Sequence, residues 1–151
     1  MAVCLFRGFG TTQDQTKAAG IFEQLASEGH SDSQVWIGYC HYGWGVSQDP
    51  SKTFEWFRKS ASRGNSNGQW MIGQCYYYGY GVAKDYTKAV EWYRKSAEQS
   101  NRIGQDNLGT CYQNGYGVPK SIDTAIFWYR KSAENGYNPA INRLRYLGKW
   151  P

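Results

Sequence analysis

Apolar residues fall at helical spacing along most of this chain. Gly68, Ile72, Cys75 and Tyr76 stand at i, i+4, i+7 and i+8, one face of a helix. The same series returns as Gly104, Leu108, Cys111 and Tyr112, and as Ser33, Ile37, Cys40 and His41. A paired-glycine element closes each series: Gly8-Phe9-Gly10, Gly43-Trp44-Gly45, Gly79-Tyr80-Gly81 and Gly115-Tyr116-Gly117. Glycine adopts the left-handed conformation just past a helix without steric cost, so these elements predict where a first helix (helix A) stops. A second helix (helix B) is then predicted to open on an N-cap at Asp14, Asp49, Asp85 or Ser121. Pro50 follows Asp49 at the first helical position, where proline is tolerated. The stripe Ala89, Trp92, Tyr93, Ser96 and Ala97 marks the buried face of helix B, and Gly29, Gly64 and Gly136 end three of these helices, Ser100 taking that column in the third unit.

The pattern recurs about every 36 residues, most visibly in the phrases around Trp56, Trp92 and Trp128. One helical hairpin per period, stacked on its neighbours, predicts an all-α fold: an α/α superhelical solenoid of about four helix-turn-helix repeats plus a C-terminal capping helix, in a single domain. The expected boundaries are 1–30, 31–65, 66–101 and 102–137, with the cap at 138–151. Gly38, Gly73 and Gly109 are expected to let the partner helix approach closely, offsetting a propensity cost of about 1 kcal/mol each. Arg145 replaces this small residue in the cap, which suits a helix with no following neighbour. Glu55 with Lys59 and Glu91 with Lys95 are expected i,i+4 ion pairs. In the first unit Ile21 stands in the tryptophan column and helix A is a stub, Met1 to Arg7, which suggests a fragment of a longer chain.

Composition sharpens this picture in few places. The formal charge of +5 is far from a nucleic-acid signature. No apolar run approaches the roughly 20 residues of a membrane span, and Met1–Phe6 is too short for a secretory core. Cys4, Cys40, Cys75 and Cys111 recur at 36, 35 and 36 residues, one column of the repeat. Equivalent positions in neighbouring layers lie roughly 10 Å apart, beyond the reach of a disulfide. They are expected to be free, buried thiols in a reducing, intracellular and cytoplasmic setting.

Together Ile72-Gly73, Tyr76, Gly79-Tyr80-Gly81-Val82, Asp85, Lys88-Ala89, Trp92-Tyr93, Lys95 and Ala97 resemble the Sel-one-like repeat, a relative of the tetratricopeptide repeat. The resemblance implies a right-handed superhelix and adaptor or scaffold work. One secreted bacterial branch of that family joins helices A and B through two cysteines per repeat; this chain has one.

The helix A face opposite the packing stripe is the candidate partner surface, since in the related fold it lines the concave groove. Its residues are Val35, Tyr39 and Tyr42; Trp70, Gln74, Tyr77 and Tyr78; Asp106, Thr110, Gln113 and Asn114; and, in the cap, Asn142 and Tyr146. Aromatic anchors ringed by amides suit an extended peptide or a partner helix. The expected partner is therefore a protein or peptide, with no nucleic acid, membrane, cofactor or metal. The aromatics between the paired glycines, Phe9, Trp44, Tyr80 and Tyr116, are expected to pack as a ladder along the loop edge, with lateral docking as the alternative. The Gly-x-Gly loops follow helices rather than strands and are not read as phosphate cradles. Arg58-Lys59, Arg94-Lys95 and Arg130-Lys131 fall near the ends of helix B, where cations complement the dipole, and are expected to form a solvated outer stripe. Cys40 and His41 point about 100° apart on a helix, so they make no thiol–base pair. The chain therefore reads as a non-catalytic interaction module. A regulatory segment of a larger enzyme is the alternative, and a hydrolase a more remote one.

Overall fold

The computed structural model describes residues 12–43 and 47–150. Every regular element among them is a helix: α1 (Thr12–Ser27), α2 (Ser31–His41), α3 (Pro50–Ser62), α4 (Ser66–Tyr78), α5 (Tyr86–Glu98), α6 (Arg102–Asn114), α7 (Ile122–Glu134) and α8 (Asn138–Tyr146). Helices α2, α4 and α6 are the A helices of successive hairpins, α3, α5 and α7 their B partners, and α1 is the B helix of the first. Phe9, Trp44, Cys4, the Met1–Arg7 stub and the glycines at 8, 10 and 45 lie outside the described residues.

Local chemistry sets the helix ends. Asp49 Oδ1 accepts from the Lys52 amide at 3.0 Å, Asp85 Oδ1 from the Lys88 amide at 3.0 Å, and Ser121 Oγ from the Thr124 amide at 3.2 Å. Each satisfies a first-turn donor that has no partner within its helix. In the first unit helical backbone already runs from Thr12, two residues ahead of the start expected at Asp14. Gly79 and Gly115 end α4 and α6 at φ 75° and 77°. Ser100 sits at φ 62°, the same left-handed region that Gly64 and Gly136 occupy in their repeats. Helix α2 ends at His41 and lacks the last two residues of its counterparts.

The core is a series of clusters threaded through the stack. Phe57 and Ala61 of α3 bury against Val35 of α2 and Met71, Ile72 and Cys75 of α4. Tyr93 of α5 meets Leu108 and Cys111 of α6, and Tyr129 of α7 meets Ala140 and Leu144 of α8. Each fully buried large side chain contributes roughly 1.5–3 kcal/mol. The small column works as expected. A Cβ on Gly73 would lie 2.5 Å from the Tyr93 ring, and one on Gly109 2.7 Å from the Tyr129 ring. The serines of helix B tie each hairpin together: the hydroxyls of Ser60, Ser96 and Ser132 donate to the carbonyls of Ser31, Ser66 and Arg102 at 2.8, 2.8 and 2.6 Å.

Layers are joined by amides that the periodicity did not reveal. Asn65 caps α4 through Oδ1 and donates from Nδ2 to Asp32 Oδ1 of the previous A helix at 2.6 Å. Asn101 repeats the arrangement on Asn67 Oδ1 at 2.8 Å. Gln34 and Gln105 are buried and donate to the last-turn carbonyls of Ala26 and Ala97, each at 3.1 Å. Among the described residues, successive A helices also touch each other, α2 with α4 and α4 with α6, whereas each B helix makes its main contacts with neighbouring A helices. On the outer side the expected i,i+4 pairs are replaced. Arg58 takes Glu55 at 2.7 Å, while Lys59 and Lys95 lie 4.0 and 4.3 Å from the ring centroids of Trp56 and Trp92. A flat indole face one turn away competes well with an exposed carboxylate for an ammonium group.

Candidate functional site

Among the described residues, the A-helix face carries depressions at two places built from the same columns of the repeat. The first, about 280 Å³, lies where α2 and α4 meet. It is lined by Tyr39, Tyr42, Trp70, Gln74 and Tyr78, all expected on this face, together with Phe57, Met71, Cys75 and Tyr80. The second, about 400 Å³, lies between α6 and α8 and brings Gln113, Asn142 and Tyr146 together with Pro139, Arg143 and Leu147.

Around the first depression, aromatic packing fixes the walls. Tyr42 and Tyr80 rings lie 4.8 Å apart, and the Tyr39 ring meets Phe57 edge-on at 5.5 Å. The Tyr39 hydroxyl donates to Met71 Sδ at 3.2 Å, and burial pushes its pKa up to about 12. It is thus a fixed, neutral wall rather than an acid or base. Tyr42 and Tyr78 are 43% and 71% exposed, which leaves two phenol rings open to solvent at the rim. Trp70 is half-buried and reaches the cores on both sides of its helix. Its indole Nε1 and the Tyr80 hydroxyl are buried without a hydrogen-bond partner.

Three expected face residues lie elsewhere. Val35 is 6% exposed and belongs to the cluster around Phe57. Asp106 is 3% exposed, covered from the α8 side by Arg143. The reason is shared: an A helix packs against B helices on two sides and against the next A helix, so its buried stripe is wider than the single face that the spacing suggests. Tyr77 turns toward the loop edge, where its ring meets Tyr86 at 5.1 Å and Tyr116 at 5.9 Å. Tyr116 in turn stacks on Tyr86 at 4.9 Å and 16°, and Tyr80 packs on Tyr42, so each described aromatic between paired glycines packs on helix tyrosines rather than on its counterpart in the next repeat.

Around the second depression the chemistry is polar. The Tyr129 hydroxyl donates to Gln113 Oε1 at 2.7 Å and lies 3.2 Å from Thr110 Oγ1. Arg143 reaches Asp106 Oδ2 at 3.5 Å and lies over the Tyr129 ring, 5.7 Å from its centroid. Burial outweighs this ion pair and pushes the Asp106 carboxyl up to about 6. Sequence reasoning missed Arg143. The available signal was its column, shared with Met71 and Asn107, which faces the preceding layer.

The described cysteines all lie in the core. Cys40, Cys75 and Cys111 are buried and free, and burial pushes their thiols up to about 11, 12 and 12. A thiol so far above neutrality offers little thiolate. Among the described residues, no three His, Cys, Asp or Glu side chains lie together as a metal site, and no helix is long and apolar enough to cross a membrane.

Comparison with known proteins agrees with this architecture. The Sel1 repeat pattern matches residues 1–30, 31–65, 66–101 and 103–137. A protective antigen of uropathogenic Escherichia coli, c5321, displaying an SLR fold, is 36% identical over 97% of this chain, with a TM-score of 0.83. A Sel1 repeat protein from Oxalobacter formigenes is 31% identical over 85% of the chain, with a TM-score of 0.81. This chain spans 32% and 52% of the lengths of those two proteins. Cysteine rich protein B of Helicobacter pylori shares the fold at 24% identity and a TM-score of 0.71, covering 91% of this chain and 99% of its own. Among curated proteins none matches. With four matched repeats along an all-helical solenoid, this chain belongs to the Sel1 repeat family.

Proposed function

We propose that this chain is a non-catalytic scaffold module that holds an extended segment or helix of a partner protein along its A-helix face, anchored in the depression between α2 and α4. Sel1 repeats in general are protein-interaction modules, and that generality supports the first half of the reading. One observation carries the second half. The depression of about 280 Å³ is walled by Tyr39, Trp70, Phe57 and Met71 and rimmed by the exposed Tyr42 and Tyr78. Large rings already fixed by packing lose little entropy when covered, which is why such residues dominate binding energy at interfaces.

The test is capture of partners on immobilised protein, comparing wild type with Tyr42→Ala/Tyr78→Ala. Both side chains are exposed, so the double variant keeps its fold. It is expected to lose about tenfold or more in affinity for the captured partner. Recovery of the same partners at unchanged affinity overturns the anchor assignment.

A further inference from the structure

The polar depression between α6 and α8 has a ligand chemistry of its own. It rests on the reading of the A-helix face as the partner surface, and it deepens that reading. The residues lining it present mainly hydrogen-bond donors. Gln113 Oε1 is taken by the Tyr129 hydroxyl at 2.7 Å, which leaves the amide nitrogen for a ligand. Arg143 carries five N–H donors. One edge of its guanidinium approaches Asp106 Oδ2 at 3.5 Å, and its side chain stays 40% exposed. Asn142 adds an amide and Tyr146 a hydroxyl, and no carboxylate lines the depression. Directly behind Arg143, Asp106 is 3% exposed and its Oδ1 has no hydrogen-bond partner.

We propose that this depression takes a carboxylate carried by the partner segment, held by Arg143 with Gln113 and Asn142, and that Asp106 behind it takes up a proton as the carboxylate binds. An incoming anion competes with Asp106 for the guanidinium and repels its charge. The carboxyl already titrates near 6 because burial outweighs its ion pair. The charged and titratable groups facing it are Arg143 of α8, Tyr129 of α7 and Tyr137 ahead of α8, the last also sensing Arg102. Added negative charge raises the Asp106 pKa further, so binding above that pKa is coupled to proton uptake. Affinity for a carboxylate therefore rises as pH falls from 8 toward 6. A cationic ligand drawn to Asp106 gives the opposite slope.

The experiment titrates isotopically labelled protein with acetyl-glutamate amide, using acetyl-glutamine amide and acetyl-lysine amide as controls, at pH 6 and pH 8. The side-chain N–H signals of Gln113, Asn142 and Arg143 are followed by NMR. The acidic probe is expected to move all three and to bind several-fold tighter at pH 6. Arg143→Gln is expected to weaken binding about tenfold, the loss of a charge-assisted pair. Asp106→Asn is expected to keep binding and flatten its pH dependence. The proposal is overturned by unmoved signals, by equal response to the glutamine probe, by tighter binding at pH 8, or by indifference to Arg143→Gln. The probe has no ring, so this outcome is independent of partner capture through Tyr42 and Tyr78.

Discussion

The two ends of the A-helix face put different chemistry in one column of the repeat. Trp70 of α4 and Asp106 of α6 stand 36 residues apart at equivalent positions. Trp70 bridges two cores and walls an apolar depression, whereas Asp106 is a buried carboxylate tied loosely to Arg143. Beneath both, the framework is the same: a glycine one turn further along the A helix, Gly73 or Gly109, under the ring of Tyr93 or Tyr129. A solenoid can therefore change the chemistry of this column from layer to layer without changing how the layers stack. The hairpin supplies shape, and the variable columns supply chemistry.

The shared framework gives the largest expected effect. Gly73→Leu and Gly109→Leu each drive a side chain into a buried tyrosine ring, and each is expected to cost about 3 kcal/mol by chemical denaturation. Similar losses in both halves fit the comparison, whereas tolerance at either site means that its layers are not packed as described. Trp70→Ala comes next, at roughly 2–3 kcal/mol, because a half-buried ring is lost from two clusters. Its equilibrium unfolding is expected to show no new pH dependence.

Asp106 is expected to behave differently, and here the sign is decisive. Its folded pKa of about 6 lies above the ordinary carboxylate value, so between that value and 6 the folded state binds more protons than the unfolded state. The charged side chain thus costs stability that appears as pH rises through this window. Asp106→Asn is expected to exceed wild type by about 1–3 kcal/mol at pH 8, with the gap closing toward pH 4. A gap that is absent at pH 8, or that widens on acidification, contradicts the burial argument. Ser100→Gly gives the smallest change, a gain of about 0.5–1 kcal/mol, because it relieves a left-handed serine where the other repeats carry glycine. Thermal denaturation reads it directly.

Much of this architecture was legible in the sequence because a repeat prints its columns several times over. The glycine at 38, 73 and 109, the cysteine at 40, 75 and 111, and the left-handed position at 29, 64, 100 and 136 each speak through recurrence. What recurrence does not show is the contact between layers. Val35 and Asp106 were expected on the open face because spacing marks one buried stripe, yet Val35 packs with residues of α3 and α4 and Asp106 is buried beside Arg143 of α8. Arg143 escaped notice because its column changes residue type at every layer and its partner, Asp106, lies in the preceding A helix. The start expected at Asp14 differs from the helix start at Thr12 because a capping residue in the right phase does not fix where a helix begins.

The most direct test of the central claim is site-specific photo-crosslinking to the bound partner. A photoreactive phenylalanine analogue is placed at Tyr78, 71% exposed at the rim of the aromatic depression, or at Phe127, 50% exposed on the outer helix α7. The account predicts a partner adduct from position 78 and none from position 127; an adduct from 127 alone would contradict it.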